Sequence, residues 1–198
     1  MRCAISLCIF AFFSQLLGAC GSSYETVHVK DYRVFVETGS FEIQDTINEL
    51  TISYNDEFGA EALTLVDDEE DANSYIRFIS GLRATKNKLG LGQWITVTAH
   101  EGQDVIAGGS KSLEKTIVHT MELDFDLENF EQKQAGKQDR SSGDWKHLYH
   151  LFCHEVGHGL QMGHDEHKQS VMYPSIPEQS RNNLDYVSYF DRARAFFN

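Results

Sequence analysis

The run His154-Glu155-Val156-Gly157-His158-Gly159-Leu160-Gln161-Met162-Gly163-His164 constrains the local fold more than any other stretch of the chain. Two imidazoles four residues apart stack on one face of an α-helix, so the first part of the run demands a helix. His164 follows six residues after His158 and cannot meet the same point in space if that helix continues. The chain must therefore turn back sharply just after His158, and Gly159 and Gly163 provide backbone freedom for the turn.

Three neutral imidazoles leave one tetrahedral position of a Zn²⁺ ion open, which distinguishes catalytic sites from closed structural ones. Water held there has its pKa lowered far below that of bulk water, toward roughly 7. Glu155 adjoins a ligand without being one and is placed to take the proton. The residues thus point to peptide-bond hydrolysis, with Glu155 activating a zinc-bound water and then protonating the leaving amine, while the metal polarises the scissile carbonyl. His150 sits one turn before His154, but a fourth imidazole would close the open position, so it reads as a supporting or packed residue. His147 and His167 read as surface residues, and Cys153, on a different helix face from His154, as a small buried hydrophobe. Glu178 lies in range to be a third ligand of the gluzincin kind, but it lacks that family's helical context, and His164 is the better third ligand.

Farther on, the chain reads Ser170-Val171-Met172-Tyr173-Pro174. Together with the histidine run, this resembles the metzincin zinc-binding consensus and Met-turn. Met-Tyr-Pro resembles the matrixin branch, whereas Asp165 directly after the third histidine is similar to the adamalysin branch. Met121-Glu122-Leu123-Asp124-Phe125-Asp126 resembles the strand preceding the active-site helix in matrixins, so the resemblance spans Val27 to Asn198, loosely outside the histidine region. It implies a zinc metalloendopeptidase with His154, His158 and His164 as ligands and Glu155 as the catalytic carboxylate. It also implies that Met172 forms a hydrophobic floor beneath the metal, and that Tyr173, Pro174 and Ser175 help line a substrate pocket. The expected fold class is α/β (α+β), a twisted mixed sheet of about five strands with a packing helix, the active-site helix and a C-terminal helix. An extended peptide would add to the sheet edge beside the cleft. One position departs from the pattern: the consensus glycine falls on Gln161. Either the turn starts elsewhere or Gln161 takes up a strained left-handed backbone. The alternative function is a zinc-stabilised binding lipoprotein without activity, but such a module has no chemical need of Glu155.

The N-terminus carries an address. Arg2 followed by the apolar stretch Ala4–Leu17 reads as a signal peptide over residues 1–19, too short to span a bilayer comfortably. It ends Leu17-Gly18-Ala19-Cys20, which resembles the bacterial lipobox and implies lipidation of Cys20 and a membrane anchor. A plain secretory signal cleaved after Ala19 is the alternative. The expected location is the bacterial cell envelope with the outer membrane favoured, since no Asp follows Cys20. Residues 20–26 form a tether, and residues 27–198 the protease domain, expected to be a monomer acting on proteins or peptides. The net charge of −13, from 30 acidic and 17 basic residues, argues against nucleic acid as a partner. Only Cys153 lies within the domain, so no internal disulfide is expected after processing.

Hydrophobic patterning sets the remaining expectations. Strands are expected over Val27–Thr38, Ala62–Val66, Ser74–Ile79, Gln93–His100 and Lys115–Leu127. Helices are expected over Phe41–Phe58 with Ser40 as N-cap, over Asp144–Gly159, and from Arg181 or Asn182 to Phe197. The glycine-rich segments Lys88–Gly92 and Gly102–Ser110 read as loops. The acidic run Asp67–Asp71 reads as a solvated loop, with Ca²⁺ binding possible there but supported by no specific motif.

Overall fold

The computed structural model describes residues 26–100, 115–134, 139–175 and 183–198. The signal segment, Cys20, Gly102–Ser110 and Glu178 lie outside these residues. The chain divides into two compact units, Met1–His28 with Thr98–Ile117, and Val29–Val97 with Val118–Asn198. The smaller unit is described only through strand β1 (Thr26–Val29) and the adjoining ends of two longer strands. The candidate site lies wholly in the larger unit.

That unit is mixed α/β, built on a five-strand mixed sheet. Strands β3 (Leu63–Val66), β2 (Tyr32–Glu37), β4 (Ser74–Ile79) and β6 (Lys115–Asp126) lie side by side in that order, and β5 (Gly90–His100) also pairs with β6. The β2–β3, β2–β4 and β4–β6 pairings are parallel, with Val34 opposite both Leu65 and Ser74 and with Ile76 opposite Leu123. Alternation sends Tyr32, Val34 and Val36 of β2 and Met121, Leu123 and Phe125 of β6 into the core. On the other face of β6, Glu122 and Asp124 both pair with Arg77 of β4 at 2.8 Å.

Helix α1 (Phe41–Phe58) begins as its sequence requires: the Ser40 hydroxyl accepts the Ile43 N–H at 3.3 Å. It ends at Gly59, whose φ of 83° is a left-handed C-cap. Its buried stripe is Ile43, Ile47, Leu50, Tyr54 and Phe58. The Tyr54 ring meets Phe152 edge-on at 6.0 Å and Tyr189 edge-on at 6.3 Å, fastening α1 to helices α4 (Gly143–Gly159) and α5 (Tyr186–Phe197). Such a well-filled interior holds α4, and with it the histidines, in one position.

Several boundaries differ from expectation for identifiable reasons. The single strand expected over Val27–Thr38 is two, β1 and β2, separated at Lys30-Asp31. There the Asn73 side chain takes the Asp31 carbonyl and the Arg33 N–H, holding the break from across the sheet. Strand β6 stops at Asp126 because its carboxylate accepts the Asn129 N–H at 2.9 Å and so caps an unexpected helix, α3 (Leu127–Gln134). The other Asp126 oxygen accepts the Arg83 N–H at 2.7 Å, at the start of a second unexpected helix, α2 (Leu82–Lys86). Helix α5 starts at Tyr186, later than expected, because Asp185 bridges to Ser170 and caps the helix by accepting the Ser188 N–H at 3.0 Å. The acidic run folds as an exposed 3-10 turn over Glu69–Asp71, and among the described residues its carboxylates do not converge into a ligand group. No described helix is long and apolar enough to cross a membrane.

Candidate metal centre

Helix α4 carries the first two histidines. Ser142 starts it by accepting the Trp145 N–H at 3.0 Å, and Trp145, Leu148, Phe152 and Val156 bury its core-facing side. After Gly159 the chain reverses through paired bonds from Gln161 N–H to the His158 carbonyl (3.0 Å) and from Met162 N–H to the Gly157 carbonyl (2.8 Å). This is a Schellman ending, and its left-handed position is Gln161, at φ 62°. The turn therefore starts where the spacing demands, and Gln161 carries the backbone conformation in which glycine was expected.

The reversal brings His164 to His158, their Nε2 atoms 3.1 Å apart. One ligand atom from each of His154, His158 and His164 lies within 4.8 Å of the others. Two nitrogens bound to one tetrahedral ion at about 2.0–2.1 Å would be roughly 3.3 Å apart, so the His158–His164 pair already has close to the separation that ligation needs. The outer nitrogens are engaged: His154 Nδ1 lies 2.8 Å from the Val171 carbonyl and His158 Nδ1 2.9 Å from the Met162 carbonyl. A carbonyl can only accept, so both Nδ1 atoms carry the proton and both Nε2 lone pairs face the cluster. Burial lowers the His154 pKa to about 4 and lowers that of His158, which keeps both rings neutral, the form that binds metal. The donor set and its orientation fit a metal ion.

Val171 is positioned by the segment after His164. Asp165 N–H bonds the Met172 carbonyl at 2.9 Å, and Ser170 Oγ accepts the Met172 N–H at 3.2 Å. Met172 is fully buried, and its sulfur lies so close beneath Gly157 that a Cβ there would overlap it. The methionine is thus a floor under the helix turn that bears the histidines. His150 Nε2 shares the Val171 carbonyl at 3.1 Å, so His150 supports the same segment and does not join the cluster. Cys153 is buried, and desolvation pushes its thiol pKa up. His167 is exposed, but His147 is not at the surface as expected: it is 3% exposed, with its Nε2 3.3 Å from the Asn129 amide of α3. The helix that buries it was not foreseen.

Glu155 is 4% exposed, and burial pushes its pKa up to about 7. Its Oε2 accepts the Gly92 N–H at 2.5 Å. Strand β5 begins at Gly90, three residues before the expected Gln93, and passes directly over this carboxyl. A Cβ on Gly92 would overlap the Glu155 carbonyl oxygen, and one on Gly90 would lie 2.5 Å from Oε1. Gly90 and Gly92 are site residues that a reading of Lys88–Gly92 as a loop misses. The available signal was glycine at alternate positions, the mark of a strand face on which another backbone makes a close approach.

A cleft of about 570 Å³ opens over these groups, lined by His154, Glu155, His158 and His164 and by Tyr173, Pro174 and Ser175. No family model matches the chain, and no curated protein matches it.

Proposed function

We propose that this chain is a zinc-dependent endopeptidase of metzincin type, similar to matrixins, that hydrolyses peptide bonds of proteins or peptides outside the cytoplasm. The observation that carries the reading is the convergence of three histidine ligand atoms within 4.8 Å, beside the buried carboxyl of Glu155, in one open cleft. An all-imidazole donor set suits a borderline ion such as zinc.

In this reading His154, His158 and His164 hold the ion, and the Val171 and Met162 carbonyls orient the first two. When bound, zinc supplies Lewis acidity, which polarises a carbonyl oxygen and acidifies water. Glu155 takes the proton of the attacking water on Oε1, the oxygen not engaged by Gly92, and delivers it to the leaving amine nitrogen. Gly92 holds the carboxyl in a fixed orientation while it does so. The start of β5 presents backbone groups along the cleft, where an extended peptide can lie. Lipidation of Cys20 would tether the enzyme to the bacterial envelope, and the variant Cys20→Ser is then expected in soluble fractions.

The test uses the chain loaded with zinc, wild type beside Glu155→Gln, against an unbiased peptide library. The expected result is one zinc per chain in both and cleavage by the wild type alone. Zinc-loaded wild type that cleaves nothing would overturn the reading and leave a zinc-stabilised binding protein.

A further inference from the structure

The chain has 30 acidic and 17 basic residues, yet the cleft reverses that balance. Among the described residues Glu155 is the one carboxylate lining it, and two cations, Arg83 and Lys88, line it as well. Neither side chain is in an ion pair among the described residues. The nearby carboxylates are occupied: Asp124 pairs with Arg77, and both Asp126 oxygens accept backbone N–H groups. Lys88 is near enough for its charge to act on Glu155 and His158.

The segment bearing the two cations is held at both ends by one residue. Asp126 accepts the Arg83 N–H at 2.7 Å through its side chain and donates its own N–H to the Leu89 carbonyl at 2.9 Å. Between these points α2 closes at Asn87, in the left-handed conformation at φ 53°, with Asn87 N–H bonded to the Arg83 carbonyl at 2.9 Å. This anchoring turns the chain into β5 and sets Lys88 in the lining of the cleft. Cations beside a cleft in an otherwise acidic protein are matched by an anionic group on whatever enters.

We infer that Arg83 and Lys88 in the lining of the cleft bind a carboxylate of the substrate, so that the chain favours peptides with an aspartate or glutamate close to the bond cut. This rests on the peptidase reading for the word substrate, but the carboxylate preference is a property of binding and can be measured without turnover. A free peptide C-terminus offers the same chemistry, and the test separates the two sources.

The full chain carrying Glu155→Gln and loaded with zinc is titrated with end-blocked peptides that differ only in Glu, Gln or Lys at scanned positions, with binding read by fluorescence anisotropy. Glu peptides are expected to bind about tenfold more tightly than Lys peptides. The double variant Arg83→Glu/Lys88→Glu reverses that order, and the preference shrinks as salt rises from about 0.05 M to about 0.5 M. Arg33→Glu, at a residue that does not line the cleft, makes the same charge change per residue and leaves the order intact. Equal binding of the three peptides, or a Glu preference that survives in the double variant, overturns the inference. A neutral peptide with a free C-terminus that outcompetes every internal Glu peptide overturns the side-chain assignment and moves the carboxylate to the chain end. A Glu preference in binding, with no cleavage by zinc-loaded wild type, supports the carboxylate site and overturns the peptidase reading instead.

Discussion

Replacing Gln161 by glycine should stabilise the protein. Gln161 sits at φ 62°, at the position of a Schellman ending that glycine normally fills, and its side chain is exposed. A residue with a Cβ in this conformation bears roughly 1–2 kcal/mol of strain. Glycine removes that strain but loses more backbone entropy on folding, an opposing cost of roughly 0.5–1 kcal/mol. The net gain is about 0.5–1 kcal/mol. For a domain of this size that raises Tm by about 1–4 °C. Gln161→Val works in the opposite direction, because a β-branched side chain fits this backbone least, and should lose about 1–2 kcal/mol. Thermal and urea unfolding of the three proteins, followed by far-UV circular dichroism, measures both shifts. Zinc stoichiometry should be unchanged in Gln161→Gly, since both hydrogen bonds that close the turn come from backbone groups. A lower Tm for the glycine variant would refute the strain argument and show that the Gln161 side chain supports the turn.

Further outcomes test other parts of the arrangement. Gly157→Ala drives a methyl into the Met172 sulfur and within 3.1 Å of the Tyr189 ring, and should cost about 1–3 kcal/mol in urea denaturation. Ser142→Ala removes the acceptor of the Trp145 N–H at the start of α4 and should cost about 1 kcal/mol by the same assay. Zinc at a free concentration one hundred times its Kd should add about 2.7 kcal/mol of stability that a chelator removes. His164→Ala should abolish that gain while leaving the metal-free Tm close to wild type, because the side chain is exposed; a full zinc response in this variant would exclude His164 from the metal centre.

Patterns confined to neighbouring residues were readable in advance. Helix α1 runs over Phe41–Phe58 with Ser40 as its cap, β4 over Ser74–Ile79, and α4 begins within one residue of the expected start. In each case the periodicity of the side chains, and for the helices the capping residue, lie within a few positions of one another, and local spacing carries that information. The same holds for His154 and His158, whose placement on one helix face follows from their separation. It holds for the sharp reversal after His158 too, although the spacing left open whether Gln161 or another position carries the left-handed backbone, which the structure places at Gln161.

What only the tertiary structure decided involves partners distant in sequence. Gly92 meets Glu155, and the Val171 carbonyl receives both His150 and His154, through contacts that no local pattern encodes. Asp126 ends β6 and anchors both α2 and the entry to β5, so two short helices that propensity does not announce exist because one buried carboxylate satisfies their termini. His147 is buried by one of those helices, and Arg83 and Lys88 are brought to the cleft by the other. Spacing along the chain names the groups able to hold a metal ion. Packing across the sheet determines what surrounds them, because burial and charge at a site come from whichever distant segments the fold sets beside it.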